Sequence, residues 1–167
     1  MSSFYSLEGR IIPQAIDATS TSQKIDLGTI VQAKDSASTD YGVGEFIYLK
    51  GVASTVVGSV VAYSPDDFTT ALVSANGVGP IATAMSITVA DQYGWYQISG
   101  KGVGKVLASF ADNGDCYLTS TAGSIDDANV AGDFVSNMLG ASAIDTPSTG
   151  LAELEMWRPF VRDGKDD

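Results

Sequence analysis

Residues 94–119, GWYQISGKGVGKVLASFADNGDCYLT, constrain the fold of this chain more than any other stretch. They read as strand, turn, strand, turn, strand. Trp95 and Gln97 point one way and Tyr96 and Ile98 the other, which is the period of a half-buried strand. The run Ser99-Gly100-Lys101-Gly102 accepts positive φ and predicts a reversal. Residues 103–109 are then the returning strand, with the β-branched Val103 and Val106 and the bulkier Leu107. Asp112-Asn113-Gly114-Asp115 predicts a second turn, and residues 116–119 a third strand. A meander of this kind has edges to cover and a face to bury, so the rest of the chain should supply more strands.

It does so at intervals of about ten residues. Strands are predicted over 27–33, 46–49, 56–63, 81–85, 134–143 and 151–160, with 68–74 either a strand or one helical turn. Thr and Val favour the strand there. Turn clusters separate them, such as Ser64-Pro65-Asp66-Asp67 and Asn76-Gly77-Val78-Gly79-Pro80. In the last strand, alternation places Leu151, Glu153, Glu155 and Trp157 on one face and Ala152, Leu154, Met156 and Arg158 on the other. Pro159 cannot donate to a ladder, so that strand should end there or lie on an edge. No βαβ alternation is visible. The expected class is mostly β: a single antiparallel β-barrel or β-sandwich domain with an extended N-terminal arm and little helix.

Residues 1–24 read as the arm, 25–161 as the β domain and 162–167 as a charged C-terminal tail. In the arm, Phe4-Tyr5 and Ile11-Ile12 are small apolar groups, and Pro13 pushes Ile12 towards extended geometry. The arm either docks on a neighbouring subunit or forms a first strand on its own sheet. If it is a separate arm, its removal leaves the β core folded. No secretory apolar region follows Met1, and no apolar run approaches membrane length.

The 167 residues suit one core, and 18 glycines with only 5 prolines suit a turn-rich β protein. The formal net charge is −11, from 9 Lys+Arg against 20 Asp+Glu. So few cations cannot form a broad footprint on a nucleic-acid backbone, and an anionic membrane surface is equally disfavoured; neither is expected as a partner. With no histidine, a Ser-His-Asp set and a histidine metal site are excluded. The one cysteine, Cys116, permits no intrachain disulfide and reads as a small buried apolar residue; its neighbours Asp112 and Asp115 do not favour a thiolate.

Other candidates dissolve into ordinary β chemistry. Residues 100–105, GKGVGK, resemble a phosphate loop. However, Val106 follows where Ser or Thr belongs, Ser99 stands in for the first glycine, and no helix follows. Asp112-Asn113-Gly114-Asp115 lacks the spacing and distal Glu of an EF-hand loop. The pairs Asp66-Asp67, Asp126-Asp127 and Asp166-Asp167 are adjacent and read as solvated loop charge. Tyr93, Trp95 and Tyr96 either stack on a sugar or fill a β core. Trp157 beside Arg158 either anchors a subunit contact or packs in the core. No catalytic residue, metal or cofactor is expected, and the chain reads as a non-enzyme.

Four segments, GEFIYLKGVAST (44–55), GPIATAMS (79–86), QYGWYQISGKGVGKVL (92–107) and STGLAELEMWRPF (148–160), carry a resemblance to the head-decoration, or cement, proteins of tailed bacteriophages. The likeness covers residues 28–160. It implies a structural protein on the outer surface of the virion capsid, commonly a homotrimer at local threefold positions, whose partner is the major capsid protein. It carries over no catalytic motif. Candidate subunit or capsid contacts are then Phe4, Tyr5, Ile11, Ile12, Trp157 and Arg158. The alternative is a carbohydrate-binding β-sandwich module of a tail or fibre, resting on Tyr93, Trp95 and Tyr96.

Overall fold

The computed structural model describes residues 3–9 and 11–162. Among them there is no helix, and twelve strands form one sheet. The first six are β1 (Phe4–Ser6), β2 (Thr19–Ser20), β3 (Ile30–Asp35), β4 (Val43–Lys50), β5 (Val60–Tyr63) and β6 (Thr70–Leu72). The second six are β7 (Gly79–Ala84), β8 (Tyr93–Lys105), β9 (Asp115–Leu118), β10 (Ile125–Asp126), β11 (Phe134–Gly140) and β12 (Leu151–Val161). Every strand pairing is antiparallel. The main path runs β1-β3-β4-β8-β7-β12-β11-β9-β10, and the sheet is not closed into a barrel. The mostly-β single-domain expectation holds; the barrel does not.

The reversal predicted at 99–102 is absent. β8 runs unbroken for 13 residues through all of it. Along one edge it pairs with β4, from Lys50↔Tyr93 to Glu45↔Ser99. Along the other it takes three partners in succession: β2 at 93–94, β7 at 96–97 and β12 at 99–105. The register with β4 steps from Phe46↔Gln97 to Glu45↔Ser99, so Ile98 is an extra residue and β8 carries a bulge. Gly100, at φ +92°, absorbs the resulting bend. The glycines that looked like turn residues serve close approach instead. A Cβ on Gly100 would lie 2.6 Å from the Val43 carbonyl oxygen, one on Gly102 would strike the Gln97 carboxamide, and one on Gly104 would strike the Leu154 side chain. Facing them across the ladder are Met156, Leu154 and Ala152. Gly100 and Gly102 thus oppose large residues, Met156 and Leu154, which lets the two strands share one core layer.

β12 departs from expectation in a related way. It continues through Pro159 to Val161 as an interior strand, with β11 on one side and β8, then β7, on the other. Between Met138↔Met156 and Ser136↔Phe160 only Asn137 opposes Trp157, Arg158 and Pro159. Pro159 sits in this bulge, where its missing N–H leaves no ladder bond unmade. Asn137 and Arg158 both have positive φ, 65° and 54°. The bulge breaks the alternation: Ala152, Leu154 and Met156 are fully buried as expected, but Arg158 is turned out to solvent.

The core has three parts. One gathers side chains such as Val60, Ile81, Phe110, Ile125, Met138 and Leu154. A second holds Ile47, Leu49, Val61, Tyr96 and Ile98. The third holds Ile16, Val31, Phe46, Tyr48 and Trp95. Ile125 and Asp126 form β10, and Ile125 is fully buried.

The N-terminal segment lies on its own domain. Phe4 to Ser6 pair with Asp35 to Ala33 of β3, and Thr19-Ser20 pair with β8. Between them Gln14 sits in the third core region. Its amide donates to the Ala18 and Tyr93 carbonyls at 2.8 and 2.9 Å, its side-chain oxygen accepts from the Tyr48 hydroxyl at 2.6 Å, and its backbone carbonyl accepts from the Trp95 indole at 2.9 Å. Ile16 is fully buried. Residues 14–16 are therefore core, and removal of residues 1–24 is expected to disturb the β fold. A buried indole N–H and a buried phenol each need a partner, and this segment supplies both.

Candidate functional site

The antiparallel register brings distant residues onto one face. Gln32 of β3 pairs with Glu45 of β4, Glu45 with Ser99 of β8, and Ser99 with Trp157 of β12. In the next row Tyr5 of β1 pairs with Lys34, and Lys34 with Val43. Directly paired residues share a face, so both rows lie on the same side of the sheet. Further along β4, that side is covered by the second core region, through Ile47 and Leu49 against Val61, Phe68 and Leu72. At the 43–45 end it is open. Tyr5 and Val43 are each 46% exposed and Trp157 is 52% exposed.

Arg158 leaves the core at the bulge and lies back over this face. Its guanidinium grips Glu45 with two bonds, Nε to Oε2 at 3.0 Å and Nη2 to Oε1 at 3.2 Å. The Arg158 hydrogen bond is the main cause holding the Glu45 carboxyl below its ordinary range. The fork fixes the backbone beside Trp157, since Arg and carboxylate geometries match.

The six candidate contact residues separate into groups. Tyr5, Trp157 and Arg158 belong to the open face. Ile11 is 92% exposed, in the connection between β1 and β2. Phe4 and Ile12 instead pack on their own domain: Phe4 lies edge-on to Phe46, ring centroids 5.6 Å apart, and Ile12 borders the same core region. Of the aromatic trio, Trp95 and Tyr96 are fully buried and Tyr93 is half-buried, stacked with Tyr48 at 6.4 Å. They form no exposed platform.

A second feature lies beside the open face. The pairing of β4 with β8 stops at Glu45↔Ser99, while β8 runs on to Lys105. Where the two strands part there is a cleft of about 190 Å³. Its apolar walls are Phe4, Phe46, Met85 and Val103, and Gly42, Gly44 and Gly102 leave it room. Gln97 works as a substitute strand: its amide donates to the carbonyls of Ser99 and Lys101, at 3.0 and 3.1 Å. Lys101 Nζ is bridged to Glu153 Oε2 at 2.7 Å and stands 5.9 Å from the centre of the Tyr41 ring. The Tyr41 hydroxyl is buried, and the Glu153 carboxylate lies close enough to act as its acceptor. Burial first, then the nearby Glu153 carboxylate, pushes its pKa up to about 12, so it remains a donor throughout the neutral range.

The sequence carries little sign of this cleft: Tyr41 lies outside every predicted strand, and Lys101 lies in the predicted reversal. The only local signal is a tyrosine flanked by Asp40 and Gly42, an aromatic with no strand to belong to.

Little elsewhere suggests bond-making chemistry. Among the described residues no group of three or more His, Cys, Asp or Glu is placed to hold a metal ion. Asn113 has positive φ, 62°, as a turn at 112–115 requires, and Asp127 Oδ2 accepts from the Ala111 N–H at 2.9 Å. The pair Asp166-Asp167 lies outside the described residues. Cys116 is fully buried.

Fold and surface together define an all-β, single-sheet domain whose notable surface features are an open face with exposed aromatic side chains and a small cleft. No protein-family model matches the chain, and a search of curated proteins finds no match.

Proposed function

We propose that this chain is a structural decoration protein that binds the outer surface of a phage head and stabilises the shell. On this reading it acts as a homotrimer at local threefold positions, with the major capsid protein as its partner. The observation that carries the reading is the open face, where Trp157 and Tyr5 stand in solvent on a rigid sheet. A large aromatic held out by a bulge and braced by an Arg–Glu fork suits a contact residue. A protein that binds the assembled lattice and not the free subunits stabilises that lattice in proportion to occupancy. Three linked protomers add avidity, so no single contact has to be strong. The resemblance of residues 28–160 to cement proteins supports the same reading. Nothing favours the carbohydrate alternative, because two of its three aromatic residues are inside the core.

The test is co-sedimentation of the purified protein with expanded heads of the phage that carries this chain. The wild type should pellet with heads and saturate at a stoichiometric count. Trp157→Ala should bind at least about 30-fold more weakly, with a melting temperature close to wild type because the side chain is half-exposed. Wild-type protein that stays in the supernatant with saturating heads would overturn the reading.

A further inference from the structure

We infer that the cleft between β4 and β8 is a docking slot for an extended peptide segment of a protein partner, one that inserts a large apolar side chain flanked by Lys or Arg. This deepens the capsid reading by naming the kind of shell segment the protein would hold.

Size is the first reason. Small-molecule sites usually enclose about 300–1,000 Å³, and 190 Å³ is nearer the bulk of one large side chain. The walls suit that occupant, since Phe4 and Phe46 supply aromatic surface and Met85 a pliable thioether. The second reason is the opened ladder. Along residues 100–103 no strand among the described residues pairs with the edge of β8 that β4 leaves; the Lys101 carbonyl there is held only by the Gln97 carboxamide, a side chain that an incoming strand would displace. An extended chain fits such an opening, as in recognition by strand addition. The Tyr41 hydroxyl on the cleft wall, buried beside the Glu153 carboxylate, can turn to donate to the incoming backbone carbonyl.

Charge decides the flanking residues. Among the described residues Lys101 is the one cation lining the cleft, and Glu153 already neutralises it. Asp40 and Glu155 also act on Lys101, and Asp35 lines the cleft. One ammonium facing four carboxylates leaves the rim negative, so it attracts cationic neighbours of the anchor and repels anionic ones. A second copy of this chain, at net charge −11, is a poor source of such a segment.

The probe is the blocked tripeptide acetyl-Lys-Trp-Lys-amide, titrated into the ¹⁵N-labelled full chain and followed by amide chemical shifts. Shifts should saturate and concentrate at Tyr41, Gly42, Gly44 and Gly102, and should weaken as salt is raised. Acetyl-Glu-Trp-Glu-amide should bind at least about tenfold more weakly. Tyr41→Phe should weaken the basic peptide by about 2- to 10-fold, the range of one hydrogen bond. Gly42→Trp blocks the mouth at a position where an added Cβ meets nothing within 4 Å, so it should fold normally and lose binding. Equal binding of the two peptides, binding of indole alone as tight as the basic peptide, or shifts elsewhere on the molecule would each overturn the assignment. Heads that still pellet a peptide-blind Gly42→Trp variant as well as wild type would remove the cleft from shell binding and leave the decoration role standing.

Discussion

Cys116 shows how little a residue's type says before its surroundings are known. It is a thiol by composition and an inert apolar group by position, at 0% exposure within β9. Burial first, then the carboxylates of Asp115 and Asp127, push its pKa up to about 12. Only the thiolate attacks a disulfide reagent. At pH 8 the folded chain should therefore show no reaction with Ellman's reagent over an hour, and one equivalent should react once guanidinium unfolds it. A fast reaction in the native state would contradict the burial. The sequence already pointed this way, through a lone cysteine in a strand with acidic neighbours. It did not point to Gln97 or Gln14. Each is a glutamine of ordinary context whose carboxamide completes backbone hydrogen bonding that no strand supplies.

Among the elements, β8 and the N-terminal segment packed beside it hold the molecule together. Residues 11–20 close the side of the sheet that contains Trp95 and Tyr48. A fully buried tryptophan removes about 150–250 Å² from water, or about 4–6 kcal/mol at the usual area coefficient. That is comparable to the whole stability of many domains, about 5–15 kcal/mol. Deleting residues 1–24 should consequently unfold the chain rather than release an arm, seen as loss of the cooperative thermal transition by circular dichroism. The milder Gln14→Ala should lower stability by about 1–3 kcal/mol, since it orphans the Tyr48 hydroxyl and the Tyr93 carbonyl. A truncated protein that melts like wild type would refute this. The strand period correctly located β4, β7, β9, β11 and β12. It failed at 99–102 because glycine permits a turn and also permits close packing, and nothing local separates the two uses.

For the whole molecule, the consequence of one sheet is cooperativity. β8 contributes to all three core regions, through Trp95 in one, Tyr96 and Ile98 in another and its glycine run against Leu154 and Met156 in the last. No part can open without exposing another. The chain has two tryptophans. In a Trp157→Phe background the buried Trp95 reports alone, and its fluorescence should change at the same denaturant midpoint as the far-ultraviolet circular dichroism. Separated midpoints would mean that the N-terminal layer and the β9–β12 end unfold independently. The same unity bears on the proposed shell binding, because a rigid sheet presents Tyr5, Trp157 and the cleft in a fixed relation. Their spacing then adds specificity to what each contact contributes in affinity.

Alternation, turn residues and composition determined by themselves that this is an acidic, strand-built single domain without histidine chemistry, because those properties are local or additive along the chain. Which strands neighbour one another, that Ile98 and Asn137 mark bulges, that Trp157 faces water while Trp95 does not, and that Tyr41, Lys101 and Glu153 meet at one cleft were decided only by the tertiary structure. Each depends on register between segments far apart in sequence, and a shift of one residue in that register turns every side chain to the opposite face.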